Sequence, residues 1–212
     1  MVTPDLAALV DPAHTALVTS ECQVGVLGES AIFPELAAVA RQSMLTHVRQ
    51  LVPAARQVGV DVIHGVAHRR ADGHGSNRNA RLFMAAAKAD VVLEPGSPAA
   101  AVLPDLFDAE RDLVSARLHG LGPMAGTDLD ALLRNLDVST VVVVGVSVNV
   151  AVINLVMDAV NLDYQVVVPR DAVAGIPVEY ADQVIDNTLS LLATLTTTSD
   201  LLRAWNVMVA QR

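Results

Sequence analysis

The residues whose types could do chemistry are few, and several sit where an apolar run ends. Glu21 and Cys22 follow the run Ala16 to Thr19. Glu21 reads either as a base or binder of a cationic or hydroxylated ligand, or as a strand-end carboxylate capping nearby N–H groups. Cys22 is the only cysteine. Alternation along a strand turns it away from Glu21, and a buried, inert thiol is the favoured reading, since a reactive thiol needs an exposed, electropositive setting. Ser147 lies in Gly145-Val146-Ser147-Val148-Asn149. That is a strand-to-helix turn loosely like a nucleophile elbow but without its second glycine, and the competing role is a helix-capping hydroxyl. His119 is either a general base or an ordinary loop histidine. His64, His68 and His74 fall in HGVAHRRADGHG. Their spacing belongs to a strand end and a loop rather than to one helix face, so no metal or other cofactor is expected.

These side chains must be positioned by a chain of 212 residues, 52% hydrophobic but only 3% aromatic. One large domain over residues 1–212 fits that length, with a core built from Ala, Val and Leu. Acidic residues exceed basic ones, 23 against 14, for a formal charge of −9. Arg69-Arg70 is the only adjacent basic pair and reads as a solvated loop, so nucleic acid is excluded as a partner. The N-terminus has no basic region and carries Asp5 and Asp11, unlike a signal peptide. With a lone cysteine this leads to the expectation of a cytoplasmic protein. Residues 141 to 157 are uncharged, but Gly145, Ser147, Asn149 and Asn154 interrupt them, so a strand followed by a helix is expected rather than a membrane span.

The elements alternate. Val-rich runs predict strands at Ala16 to Thr19, Val60 to His64, Asp112 to Ala116, Thr140 to Val144 and Gln165 to Val168. Apolar residues three and four apart predict a helix after Pro34, with Leu36, Val39, Met44, Val48, Leu51 and Ala55 on one face. Pro53 is expected to kink or break it near its end. Further helices are predicted from about Leu129 to Arg134, from near Asn149, from Glu179 to Leu192 and from Leu201 to Trp205. This order predicts an α/β fold, a three-layer α/β/α sandwich around a mainly parallel sheet of about six strands, Rossmann-like, with ligands bound beyond the carboxyl ends of the strands. In the helix after Asn149, the polar stripe Asn154, Asp158 and Asn161 is narrow, and Ala151, Val152, Leu155, Val156, Ala159 and Val160 are apolar. A homo-oligomer, dimer or tetramer, is expected to cover part of that surface, the alternative cover being the long loops.

Three segments together resemble the isochorismatase-like cysteine hydrolase superfamily, which includes nicotinamidases and N-carbamoylsarcosine amidohydrolases. They are ALVTSECQVGVLGE, GTDLDALLRNLDVSTVVVVGVSVNVAV and DYQVVVPRDAVAG, with GSPAAAVLPDL between the first two. The resemblance spans about residues 14 to 175. It implies a site built on an Asp, a Lys and a nucleophilic Cys, with backbone N–H groups at a cis peptide receiving the oxyanion. Carried over by position, the Asp falls on Glu21, followed by Gln23 of the Asp-x-Gln pattern. The Lys falls on Leu118, or on His119 one residue later. The Cys falls on Ala151, and Val146-Ser147 takes the place of the cis peptide. Asp171-Ala172 matches a structural Asp-Ala at a strand end.

Ala151 has no nucleophile, which excludes cysteine chemistry there. The chain's one lysine is Lys88, outside that segment. The resemblance therefore implies a pocket formed by Ser147, Ala151, Gln23, Leu118 and Met124, with Glu21, and His119 beside it, as the remaining catalytic groups. Two functions follow. One is a hydrolase of a small amide, ester or vinyl ether that uses water directly. The other is a catalytically inactive family member, a pseudoenzyme, that binds a small molecule or partner through the retained pocket.

Overall fold

The structure, a computed structural model, describes residues 5–210, with side chains described as far as Trp205. In chain order the strands are β1 Thr15–Ser20, β2 Asp61–Ala67, β3 Leu113–Arg117, β4 Thr140–Val146, β5 Gln165–Pro169, β6 Val173–Ala174 and β7 Thr194–Thr196. The helices are α1 Leu6–Leu9, α2 Val24–Leu27, α3 Pro34–Gln42, α4 Met44–Val58, α5 Arg81–Ala86, α6 Leu129–Asn135, α7 Ile153–Asn161, α8 Val178–Val184, α9 Ser190–Leu192 and α10 Thr198–Ala210. Six strands run β3-β2-β1-β4-β5-β7, and the two-residue β6 adds to β4. Every pairing is parallel, so all carboxyl ends emerge on one edge. All five predicted strands form, each within a few residues of its predicted ends. The short β6 and β7 carry too few residues to show a period.

β1 and β4 are buried along their whole lengths, which is why they are written as unbroken apolar runs rather than as alternating ones. Alternation still sorts their side chains between two cores. Leu17, Val142, Val144 and Val146 face one that includes Leu36, Met44, Val48, Leu51 and Trp205. Ala16, Val18, Val141 and Val143 face another that includes Leu129, Leu133, Leu155, Val156 and Leu189. Each fully buried Val or Leu contributes about 1.5–3 kcal/mol relative to exposure. Trp205 is anchored among them by its indole N–H, which donates to the Val10 carbonyl at 3.2 Å.

The helix predicted after Pro34 carries its apolar face as expected, but the break is elsewhere. Ser43, at φ −143°, divides α3 from α4, whereas Pro53 lies inside α4, which runs on to Val58. Pro53 is on the exposed side, so water can satisfy the carbonyl that its missing N–H leaves free. The uncharged stretch at 141 to 157 folds as strand, π-helical turn Val148–Val152 and helix. Among the described residues, no helix is long and apolar enough to cross a membrane.

A polar chain joins α4, the loop before β3, β2 and β1. Arg56 of α4 donates through Nε to Asp112 Oδ1 at 2.8 Å and also pairs with Oδ2. The Asp108 N–H donates to Asp112 Oδ2 at 2.9 Å. His64 Nε2 lies 3.0 Å from the same oxygen, and His64 Nδ1 lies 2.8 Å from Thr19 Oγ1. Burial alone would raise the Asp112 carboxyl, but hydrogen bonds from Arg56, Asp108 and His64 outweigh it and hold it below its ordinary value. An ionised carboxylate only accepts, so His64 Nε2 carries the proton and Nδ1 accepts from the Thr19 hydroxyl. His64 is thus a structural histidine with both nitrogens spent.

Two consequences can be measured. Asp112→Ala leaves Arg56 and His64 without their partner and should cost about 3–5 kcal/mol of unfolding free energy in denaturant titrations. Burial, foremost, lowers the His64 pKa, and burial also lowers that of His68. The unfolded chain then binds these protons more readily than the folded one. Stability is full above about pH 6.5 and falls as pH drops below it. The melting temperature should decrease from pH 7.5 to pH 5.5, and His64→Asn should flatten part of that slope.

Candidate active site

The carboxyl ends of β1 and β4 approach so closely that only glycine fits between them. Gly145 has φ 106°, and a Cβ there would lie 2.3 Å from the Ser20 carbonyl oxygen. Ser20 also donates from its hydroxyl to the Val146 carbonyl at 2.7 Å. The next peptide, Val146-Ser147, is cis. Beyond these contacts, Glu21 and Ser147 leave the sheet side by side and line one cavity of about 160 Å³ together with Ala151, Arg117, Leu118 and His119.

Glu21 has φ 54°, a left-handed conformation that costs a non-glycine residue roughly 1–2 kcal/mol. Its N–H is held by the Gly65 carbonyl at 2.8 Å. Its carboxylate is ion-paired with Arg117 Nη2, the two side chains being 17% and 6% exposed. Arg117 ends β3, two strands away from β1. The same guanidinium reaches the carbonyls of Gly120 and Leu121 at 3.4 and 3.3 Å. Its other terminal nitrogen, Nη1, is buried without a partner.

Arg117 was missed in the sequence, where the comparison by position stopped at Leu118 and His119. The signal was present: Arg117 is the last residue of a strand, the place where open parallel sheets present ligand-binding groups. His119 lines the cavity, but Glu21 takes its charged partner from Arg117. Arg69, expected in a solvated loop, lines the cavity instead, while Arg70 turns outward to Asp72.

Other expectations are redistributed. Gln23 does not line this cavity. Its amide is fully used, donating to the Ala67 and Ala100 carbonyls at 2.9 and 2.8 Å and accepting from the Ala67 N–H at 2.8 Å. It fastens the start of α2 to the end of β2. Met124 is buried in the core against α7 rather than in the cavity wall. Ser147 makes no capping bond through its hydroxyl. Asp171 accepts from the N–H and hydroxyl of Thr198 at 2.8 and 2.9 Å, so it holds the start of α10. His64, His68 and His74 do not converge: the first is in the buried chain, the second lines the cavity, and the third is in an exposed loop. The segment between β2 and β3 supplies much of the cavity wall through Asn77, Leu82, Phe83 and Leu93. It carries no strong periodicity, and sequence analysis left it unassigned.

No thiol is available for chemistry. Cys22 is 1% exposed, and burial, followed by the charge of Glu21, pushes its pKa up to about 12. Native protein should therefore leave Cys22 unmodified by a disulfide reagent that labels it fully in denaturant. Ala151→Cys should add one thiol that does react in the native state, since that position lines the cavity.

Comparison with known proteins fits this geometry. No curated protein matches the chain, but solved structures do. A cysteine hydrolase from Pseudomonas syringae pv. phaseolicola superposes with a TM-score of 0.81 at 23% identity, covering 98% of this chain and 99% of that one. An isochorismatase family protein from Desulfovibrio vulgaris gives 0.72 at 27% identity, covering 92% and 98%. N-carbamoylsarcosine amidase from Thermoplasma acidophilum gives 0.68 at 20%, covering 87% and 96%. The family described as the isochorismatase domain matches residues 15–200. With that match over most of its length, the chain belongs to the isochorismatase domain family.

Proposed function

We propose that this chain hydrolyses a small amide, ester or vinyl ether by direct attack of water, with no covalent intermediate. The observation that carries this reading is the placement of the Glu21 carboxylate in the same cavity as the Ser147–Ala151 turn, with Arg117 beside it. In an amide or ester, Glu21 accepts a proton from water as its oxygen bonds to the carbonyl carbon. The N–H groups of Ser147 and Ala151 receive the oxyanion, and Glu21 returns the proton to the leaving group as the carbon–nitrogen or carbon–oxygen bond breaks. Arg117 offsets the charge of Glu21 during this cycle. The buried, free cysteine suits the reducing cytoplasm, which we take as its compartment.

A second reading has its own support. Ala151 is a methyl group, Cys22 is buried, and Glu21 is held by a buried arginine. A cavity so equipped also serves a catalytically inactive binder. The two readings separate in a hydrolysis screen of small amides, esters and isochorismate with wild type and Glu21→Gln. Hydrolysis by water predicts that Glu21→Gln lowers kcat by about 10²–10⁴-fold. Turnover unchanged by the substitution rejects Glu21 as the base, and absence of turnover with retained ligand binding favours the inactive binder.

We also propose a homo-oligomer, dimer or tetramer, that covers the outer face of α7. Leu155, Val156 and Ala159 are buried within the chain, yet Met157 and Val160 remain 41% and 37% exposed. Light scattering should give a multiple of the chain mass for wild type and a smaller particle for Met157→Lys. A monomeric wild type would reject the proposal.

A further inference from the structure

Arg117 is the one guanidinium whose side chain is more than nine-tenths buried at the cavity, and its valences are not all used. One terminal nitrogen is spent on Glu21 and the Leu121 carbonyl. The other, Nη1, has no partner although it is buried. A second guanidinium, that of Arg69, lines the same cavity. Among the described residues it has no ion-pair partner. Its backbone N–H is fixed to the Leu93 carbonyl at 2.8 Å, which holds the residue at the wall.

With histidines counted as neutral, and His68 and His119 both on the wall, the charges at this cavity are Arg117, Arg69 and Glu21, one positive charge in excess, in a chain whose formal charge is −9. Burial lowers the pKa of His68. The rest of the wall is apolar: Ile32, Phe33, Leu82, Phe83, Leu93 and Val150 among others. A single excess charge suits a monoanion better than a phosphate dianion, and a planar guanidinium fork matches a carboxylate.

We propose that the ligand of this cavity is a small monocarboxylate with an apolar body, its carboxylate paired with Arg69 and drawn by the charge of Arg117, both of which line the cavity. This rests on the reading of the cavity as the functional site. If that site hydrolyses, the substrate is an amide, ester or vinyl ether that carries a separate carboxylate as its handle. Glu21 then has two opposed roles: it is the base for water, and its charge weakens the hold on the ligand's carboxylate.

The test is calorimetric titration of the wild-type chain with benzoate, phenylacetate and hexanoate, each against its own neutral amide. At least one acid should bind about ten-fold or more tighter than its amide, the worth of one charge-assisted hydrogen bond. Arg69→Gln should remove most of that preference. Arg117→Met should remove it as well, and because this substitution also strands Glu21, the half-buried Arg69→Gln, which leaves the Glu21–Arg117 pair intact, keeps the test decisive if Arg117→Met fails to fold. Glu21→Gln should tighten acid binding while lowering any turnover by about 10²–10⁴-fold. Acids that bind no better than their amides would overturn the proposal, whether or not hydrolysis is found. Acid preference without turnover on any substrate would uphold it and reject hydrolysis alone.

Discussion

β4 lies in the middle of the sheet with β1 on one side, and the site depends on how closely their carboxyl ends meet. At Gly145 there is no room for a Cβ against the Ser20 carbonyl, and the Ser20 hydroxyl closes on the Val146 carbonyl. These contacts leave each strand one way out. β1 turns at Glu21 into a left-handed residue, and β4 turns at Ser147 into the helical segment that carries Ala151. A parallel sheet sends all such turns to one edge, so the close approach of two strands becomes a shared cavity floor.

Two charged assemblies, one at Asp112 just before β3 and one at Arg117 at its end, differ in what they leave unused. In the chain from Arg56 through Asp112 and His64 to Thr19, Asp112 and His64 have no exposed side-chain surface, and each finds its partners within the protein. That assembly ties α4, β2 and β1 together. At Glu21 and Arg117 the pair is also largely buried, but one guanidinium nitrogen has nothing to donate to. Burial costs both assemblies the solvation of their charges. Only the second leaves a donor unpaired, and its two residues line the cavity.

The chain belongs to the isochorismatase domain family, and it carries an alanine, Ala151, at the position that the resemblance assigns to the nucleophile. The position that the resemblance gives to the Lys falls on Leu118 or His119, neither of them a lysine, and the residue before them, Arg117, is the one that pairs with Glu21. Both side chains exceed the Lys and Asp of the resemblance in breadth or length at one end. They meet because Arg117 reaches from β3 across the end of β2 to β1.

The sequence by itself determined the layered parallel sheet, because β1, β4 and β5 are buried on both faces and must be written as runs of Val, Ala and Leu that no loop or surface helix would carry. It also determined that Ala151 cannot attack and that Glu21 stands at a strand end. Near-neighbour chemistry of this kind is legible because it depends on residues a few positions apart. The break at Ser43 rather than Pro53 escaped it, since exposure of Pro53, not its presence, decides whether a helix tolerates it. Gln23 and Met124 escaped for a similar reason: each lies beside the site in sequence, yet packing turns one to the backbone of Ala67 and Ala100 and the other into the core. Only the tertiary structure brought Arg117 to Glu21 across 96 positions and Arg69 to the same cavity, because the pairing of charges distant in sequence is set by strand order and by the reach of side chains across it, and neither leaves a local pattern.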